Sequence, residues 1–391
     1  MKNSISEEKV PFWLDPDKRA IAYQILTILM VGLLAWYLVS NTLTNLDKQN
    51  ISSGYGFLDK EAAFEIGESV IEYSAADSYG RALLVGVLNT LKVSFVGIIL
   101  CLIIGVFVGV ARLSTNWLVQ KLAMIYIEVM QNIPILLQLF FWYALFYESF
   151  PSPRQALNPF AGLFICNRGV AMGIPAAHPA HGYMLLALVI GIGIAYAIRK
   201  WAKRRKDATG EDFPVLWTSL GLCLGLPLVA WLAFGAPTRM DVPELKGFNF
   251  KGGLMLSPEF IALLLGLVIY TSAFVAEAVR AGIQAVSRGQ SEAAMSIGLK
   301  KGHILNLVIL PQALRVIIPP LTSQMLNLTK NSSLAIAIGF PDFVSVANTT
   351  INQTGQSIEG VALIMGCYLM FSISTSLFMN WYNKKSKLVE R

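Results

Sequence analysis

Charged side chains are scarce in this chain. Asp, Glu, Lys and Arg together make up 14% of its 391 residues, whereas a typical soluble domain has about 25%. Hydrophobic residues account for 55% of the chain. This balance excludes an ordinary soluble domain and predicts an integral membrane protein.

The sequence also lacks several chemical motifs. It has no Gly-x-x-x-x-Gly-Lys-(Ser/Thr) segment, so it does not hold ATP phosphates in the P-loop manner. Of its four cysteines, only Cys166 falls outside the apolar runs, so we expect no intrachain disulfide. His178 and His181 flank Pro179 without a Cys or acidic neighbour, so we expect no metal site there.

Apolar runs of about 17–25 residues are present instead, and each is long enough to cross roughly 30 Å of hydrocarbon. There are eight: Ala20–Ser40, Gly86–Ala111, Val119–Phe146, Gly182–Ile198, Val215–Phe234, Glu259–Ile283, Gln312–Leu328 and Val361–Trp381. The first is expected to remain an uncleaved helix, because no small-x-small site closes it. The pattern therefore predicts an all-α membrane protein with about eight spans.

Basic residues predict the orientation, because loops rich in Lys and Arg stay on the cytoplasmic side. Both terminal tails and the segment Arg199–Lys206 are basic, whereas Asn41–Arg81 is acidic. With eight alternating spans, the basic segments fall inside, the acidic segment falls outside and both termini are cytoplasmic. Snorkelling and lipid-anchoring cations explain the formal net charge of +7 without any nucleic acid.

One cytoplasmic loop, between the sixth and seventh spans, carries a spaced motif. Ser287 or Ser291 could cap a short helix there, and Gly298 with Gly302 could end it. The motif residues are Glu292, Ala293, Ala294, Gly298, Leu310 and Pro311, with Val308 at an aliphatic position. This spacing resembles the EAA loop of ABC-importer membrane subunits, which implies that the helix docks on a separate ATPase and couples it to the spans.

Three further segments resemble the polar amino-acid family of ABC-importer permeases: Tyr126–Pro134, Ala276–Ile283 and Leu328–Leu334. With its length and inserted hairpin, the chain looks like one of the two permease subunits of a general L-amino-acid importer. Gln131 stands where most relatives carry Arg, so no ion-pairing role is transferred to it.

The resemblance implies a five-helix type I core with additions. We expect residues 1–85 to form the cytoplasmic tail, first helix and acidic periplasmic loop. Residues 86–147 and 259–382 form the core, with the coupling loop at 287–311, and residues 148–258 form inserted loops around a transmembrane hairpin. Residues 383–391 form a cytoplasmic tail. Gly97, Gly105 and Gly109 predict a close packing face within the core.

Polar residues within spans are candidate path or gate residues, because each charge costs about 2.5–3.5 kcal/mol near a bilayer centre. Glu277 could pair with Arg280 and Glu128 could find a donor on a neighbouring helix, or both could form an inner gate. The set comprises Glu128, Gln131, Asn132, Glu277 and Arg280. Pro134 should kink its span, either for packing or to shape the path.

A second polar group interrupts the apolar sequence after the seventh span. It comprises Asn327, Lys330, Asn331, Ser332 and Ser333. Polar breaks at membrane depth often mark substrate sites, although the same group could cap a helix end at the interface.

The function expected from the resemblance is inward L-amino-acid transport in a bacterial inner membrane. Its implied partners are a second, similar permease, two ATPase copies that bind ATP and Mg, a periplasmic amino-acid-binding protein and membrane lipid. No cofactor or enzymatic activity is expected in this chain. An ion-coupled secondary transporter is the alternative, but it predicts two homologous halves, and only Glu128-x-x-Gln131 and Glu277-x-x-Arg280 echo each other.

Overall fold

The structure, a computed structural model, describes Trp13, residues 15–48 and residues 54–386. The predicted cytoplasmic tails before Trp13 and after Ser386 lie outside these residues. The helices are α1 Pro16–Lys48, α2 Tyr79–Ala111, α3 Trp117–Asn132, α4 Ile135–Ala144, α5 Pro179–Thr209, α6 Val215–Ala233, α7 Pro258–Gln284, α8 Arg288–Ser296, α9 Lys301–His303, α10 Leu310–Asn331, α11 Phe343–Thr354 and α12 Ser357–Ser386.

Within the described ranges, seven helices are long and apolar enough to cross a membrane, or eight if one bent pair counts as a span. The predicted kink at Pro134 is confirmed, and it divides the predicted span Val119–Phe146 into two helices. α3 and the segment Ile135–Ser149 meet at 101°. Pro134 cannot donate to the carbonyl of Met130, and Ile133 before it is extended, with φ −92° and ψ 123°, as a residue preceding proline prefers.

The interval between the last two predicted spans also contains a helix that the sequence analysis did not predict. Asp342 caps α11, because its carboxylate accepts a hydrogen bond from the Ser345 amide at 2.9 Å. Gly355, with φ +72°, ends α11 in the left-handed conformation that glycine tolerates.

Residues 93–340 form one compact unit, and α7 supplies much of its core. A Cβ on Gly105 of α2 would lie 2.4 Å from Val275 Cγ1, so the absence of a side chain lets α2 approach α7. The same holds where Leu139 of α4 meets Gly266, and where Ile317 of α10 meets Gly282. The predicted packing role of Gly105 is confirmed.

The two segments on either side of the α5–α6 hairpin are folded as short strands. They are β1 Leu157–Phe160, β2 Leu163–Cys166, β3 Gly169–Met172, β4 Ile174–Pro175, β5 Met240–Asp241, β6 Glu244–Lys246, β7 Asn249–Lys251 and β8 Leu254–Leu256. All pairs are antiparallel, in the orders β1-β2-β3-β8, β4-β5 and β6-β7. Because β3 pairs with β8, β4 pairs with β5 and the amide of Ala176 donates to the carbonyl of Arg239 at 2.9 Å, residues 157–176 and 239–256 form one small unit, called the β cap.

The second compact unit comprises the described parts of residues 1–92 and 341–391. Asn89 of α2 is fully buried, and its side-chain amide donates to the backbone carbonyls of Glu68, at 2.8 Å, and Pro341, at 2.9 Å. Lys92 forms an ion pair with Glu68 at 2.5 Å. The acidic segment is therefore tied to α2 by specific polar contacts.

Candidate functional site

The predicted coupling helix forms as α8. Ser287 occupies the cap position, although its hydroxyl accepts no hydrogen bond there. Ala294 is buried, whereas Glu292 and Ala293 are exposed. The helix therefore has one side against the protein and one side open to a partner.

Two apolar side chains at variable positions within the motif are also exposed. Met295 is 52% exposed and Ile297 is 76% exposed. Exposed apolar side chains rimmed by polar residues are typical of a protein–protein contact. Sequence reasoning passed over both residues because they occupy the variable positions of the motif; their apolar character within a polar loop was the available signal.

Gly298 ends α8 by a specific backbone arrangement. Its φ is +79°, and its amide donates to the carbonyl of Met295 at 2.9 Å, while the amide of Leu299 donates to the carbonyl of Ala294 at 3.2 Å. These two bonds form a Schellman motif, which favours glycine at the left-handed position. The predicted role of Gly298 as a helix end is confirmed, whereas Gly302 lies within α9.

The chain then passes through a widened π-helical segment, Ile304–Ile309, into α10. This widening directly precedes Leu310 and Pro311, and a proline ring displaces the carbonyl one turn before it. The side chain of Gln312 donates to the carbonyl of Val308 at 3.0 Å and to Gln290 Oε1 at 3.4 Å. This last contact joins α8 to the start of α10.

The C-terminal end of α7 carries the predicted Glu277–Arg280 pair. Arg280 Nε donates to Glu277 Oε2 at 2.9 Å, and a second guanidinium nitrogen contacts the other carboxylate oxygen. Arg280 also donates to Gln284 Oε1. The three side chains thus run along one helix face to the last residue of α7, next to the coupling loop.

The polar residues of α3 behave differently from one another. Glu128 is exposed, and its carboxylate has no hydrogen bond or ion pair within the described part of the chain, so the donor expected on a neighbouring helix is not found. Gln131 Nε2 donates to the carbonyl of Ala273 in α7 at 3.3 Å. Asn132 Nδ2 donates to the carbonyl of Glu128 at 2.6 Å. Gln131 therefore contacts α7 through its neutral amide.

A polar cavity of about 220 Å³ lies between α7 and α10. It is lined by Tyr270, Thr271, Phe274, Gln324, Asn327 and Asn331. The rings of Tyr270 and Phe274 are 5.0 Å apart. Gln324, Asn327 and Asn331 recur at spacings of three and four, which place side chains on one helix face. That spacing was the signal that could have added Gln324 to the predicted residues.

The other three residues of the predicted polar group, Lys330, Ser332 and Ser333, do not line this cavity. The hydroxyl of Ser332 is buried and donates to the carbonyl of Thr329 at 2.7 Å, and the hydroxyl of Ser333 donates to the carbonyl of Lys330 at the same distance. Lys330 is exposed. The serines therefore act as helix-end partners, while Asn327 and Asn331 reach the cavity.

Gln138 is a structural residue that sequence reasoning missed. It is 5% exposed, and its side-chain amide donates to the carbonyls of Met130, at 3.1 Å, and Ile133, at 3.0 Å. Pro134 has no N–H to offer the carbonyl of Met130, so Gln138 replaces the lost donor. It stabilises the sharp break between α3 and α4.

Comparison with known proteins shows the family to which this chain belongs. Residues 212–388 match the family described as "Binding-protein-dependent transport system inner membrane component". The chain is 49% identical, over 96% of its length, to the general L-amino acid transport system permease protein AapQ of Rhizobium johnstonii, and it covers 94% of that protein. The chain belongs to this family.

Two other members of this family match the present chain over nearly its whole length. One is the putative amino-acid ABC transporter permease protein YhdX of Escherichia coli, 49% identical over 96% of each chain. Another is the glutamate/glutamine/aspartate/asparagine transport system permease protein BztB of Rhodobacter capsulatus, 40% identical over 96% of each chain. The predicted all-α, multi-pass inner-membrane permease of the ABC-importer type is confirmed.

Proposed function

We propose that this permease is one membrane subunit of an ATP-driven importer that carries L-amino acids inward by alternating access. Three relatives that match nearly the whole chain are named as amino-acid permeases. The observation that carries the mechanism is the coupling helix α8, which is exposed, ends at Gly298 and presents Met295 and Ile297. A partner chain supplies the P-loop that this sequence lacks.

The coupling contact joins α8 to a separate ATPase that binds ATP and Mg. Glu292, Ala293, Met295 and Ile297 form the exposed part of this contact. Movement of α8 reaches α10 through Gln290 and Gln312, whose side chains are 3.4 Å apart. Leu310 and Pro311 set the direction in which α10 leaves the widened segment.

The amino-acid path includes the polar cavity between α7 and α10. Its amide side chains can donate to a substrate carboxylate and accept from an ammonium group, while the rings of Tyr270 and Phe274 offer apolar surface. Asn327 and Asn331 are the predicted path residues that line it. Glu128, Asn132 and the Glu277–Arg280 pair are candidate gate residues nearer the coupling loop.

The complete importer contains a second, similar permease as a heterodimer partner, two ATPase copies and a periplasmic amino-acid-binding protein. Residues 86–147 and 259–382 form the permease core, residues 1–85 and 148–258 are additions, and both tails are cytoplasmic. The basic segment Arg199–Lys206 contacts anionic lipid, because each cation near such a surface contributes about 1 kcal/mol.

Co-expression of the permeases with the ATPase tests this function. Ile297→Asp should abolish co-purification of the ATPase and ATP-dependent uptake of amino acids into proteoliposomes. Ile358→Asp is the matched control, because Ile358 is 48% exposed in the first turn of α12, and it should retain the ATPase. Retention of both ATPase and uptake by Ile297→Asp would contradict the coupling role. Uptake that needs an ion gradient and no ATP would favour the secondary transporter instead.

A further inference from the structure

The β cap contains a cavity. It has a volume of about 600 Å³ and is lined by residues from both segments that flank the α5–α6 hairpin. His178, at its edge, caps α5 by accepting a hydrogen bond from the Ala180 amide at 3.2 Å. By the proposed topology the β cap lies outside the membrane, on the side from which substrate arrives.

The charges at this cavity are not balanced. Glu244 forms an ion pair with Lys246 at 3.3 Å, and Asp241 Oδ2 accepts a hydrogen bond from the Gly253 amide at 3.0 Å. Arg239 and Lys251 are exposed, and neither has an ion-pair partner among the described residues. Besides His178, the lining has three basic and two acidic side chains, so its charges sum to +1, and Arg239 and Lys251 are the cations left open to an anionic partner.

The openness of the lining argues for a protein rather than a small molecule. The side chains of Lys246 and Glu244 are 61% and 72% exposed, whereas a small-molecule site buries about 70–90% of its ligand and is mostly apolar. A protruding acidic segment of a protein needs no such enclosure. Exposed cations at the rim of an interface act mainly by steering and orienting an oppositely charged partner.

The β cap is also connected directly to α7. β8 pairs with β3 and continues through Ser257, whose hydroxyl accepts from the Phe260 amide at 3.1 Å and caps α7. Gly169 of β3 lies close to β8, since a Cβ there would be 2.0 Å from the carbonyl oxygen of Leu256. A protein bound at the β cap would thus lie on the same small unit as β8, the strand that leads into α7.

We propose that Arg239 and Lys251 of the β cap form a docking site for an acidic segment of the solute-binding protein. This inference rests on the proposed import function, because only an importer receives substrate from such a protein. The two permease segments that fold together into the β cap would then serve recognition outside the membrane, separately from the translocation path.

The test uses the complete transporter in nanodiscs with its solute-binding protein as the probe. ATPase activity is measured against binding-protein concentration at low and high salt. Arg239→Glu and Lys251→Glu should each raise the half-maximal concentration about five-fold, in line with the upper range for an exposed ion pair, and should weaken its salt dependence. Arg239→Gln and Lys251→Gln should shift it less, in the same direction, with the maximal rate unchanged throughout.

Arg168→Glu is the matched control, because Arg168 is exposed in the turn between β2 and β3 and does not line the cavity; it should leave the half-maximal concentration unchanged. Unchanged values for Arg239→Glu and Lys251→Glu, beside a wild-type transporter that responds, would overturn the docking site alone. A lower maximal rate at an unchanged half-maximal concentration would also overturn it. A wild-type transporter that no binding protein stimulates would overturn the proposed function, and the docking site with it.

Discussion

Replacement of Gly105 by alanine measures how closely α2 must approach α7. The new Cβ would lie 2.4 Å from Val275 Cγ1 and 2.9 Å from the backbone oxygen of Ser272. A side chain could rotate away, but the carbonyl belongs to α7 and cannot move without the helix. The two helices must therefore separate, with loss of contacts along the shared face.

The expected cost follows from two opposing effects. Overpacking of a tight core costs about 1–3 kcal/mol, and the backbone contact favours the upper part of this range. Alanine gains about 1 kcal/mol over glycine in helix propensity. The net expectation for Gly105→Ala is a free energy of unfolding lowered by about 1–2 kcal/mol.

Two other glycines serve as graded controls. At Gly97 the nearest atom to a new Cβ is the flexible end of Leu328, at 3.3 Å, and at Gly193 nothing lies within 4 Å. Gly97→Ala should be close to neutral, because the leucine can give way. Gly193→Ala should be neutral or stabilising, because only the propensity gain remains.

Thermal unfolding can be followed with a thiol-reactive fluorescent dye. Cys101 is 1% exposed and lies one turn before Gly105 in α2, so it reacts only when this helix leaves the core. The other three cysteines are replaced by alanine. We expect the highest melting temperature for Gly193→Ala, a lower one for Gly97→Ala and the lowest for Gly105→Ala. A Gly105→Ala variant that melts at or above Gly193→Ala would refute the close packing of α2 on α7.

Three further outcomes are expected. Gln138→Leu leaves the carbonyls of Met130 and Ile133 without their donor, which costs about 1–3 kcal/mol for each carbonyl. The same dye should therefore report a lower melting temperature. An unchanged melting temperature would contradict the role of Gln138. Burial raises the pKa of Asp342 from 3.8 to about 7, so the folded protein holds a proton that the unfolded chain releases, and stability should fall as pH rises through this window. Asp342→Asn should make the melting temperature less dependent on pH between pH 4 and 7. An unchanged dependence would exclude Asp342 as its source. Gly298→Val forces a β-branched residue into a φ of +79°, at a cost of about 1–3 kcal/mol. It should reduce co-purification of the ATPase while the melting temperature of the spans stays unchanged. Full co-purification would show that the end of α8 is not needed for ATPase binding.

Local signals account for the parts that the sequence predicted well. The spans follow from runs of apolar residues, and the end of α8 follows from Gly298, because both depend on residues adjacent in the chain. The Glu277–Arg280 pair follows from a spacing of three on a helix. Each of these features forms without knowledge of distant contacts.

The features that were missed depend on distant contacts or on weaker signals. A kink at Pro134 was predictable, but the size of the bend is stabilised by Gln138, whose role emerges only once the helix has broken. The β cap needs β3 to pair with β8 across the whole hairpin, and short strands in Pro-rich loops carry little periodicity. α11 did have Asp342 and Gly355 as boundary signals, but its mixed polarity hid it among the longer apolar runs.

The central position of α7 connects the three proposals physically. It begins at β8 of the β cap, its middle turns supply Tyr270 and Thr271 to the polar cavity, and its last turns lead to α8. Close contacts at Gly266 and Gly282 leave no space for α4 or α10 to slip past α7 without a change in packing. We therefore expect docking outside and ATPase closure inside to act on the same helix, so that variants at Gly282 should impair uptake even when binding-protein docking and ATPase co-purification are both intact.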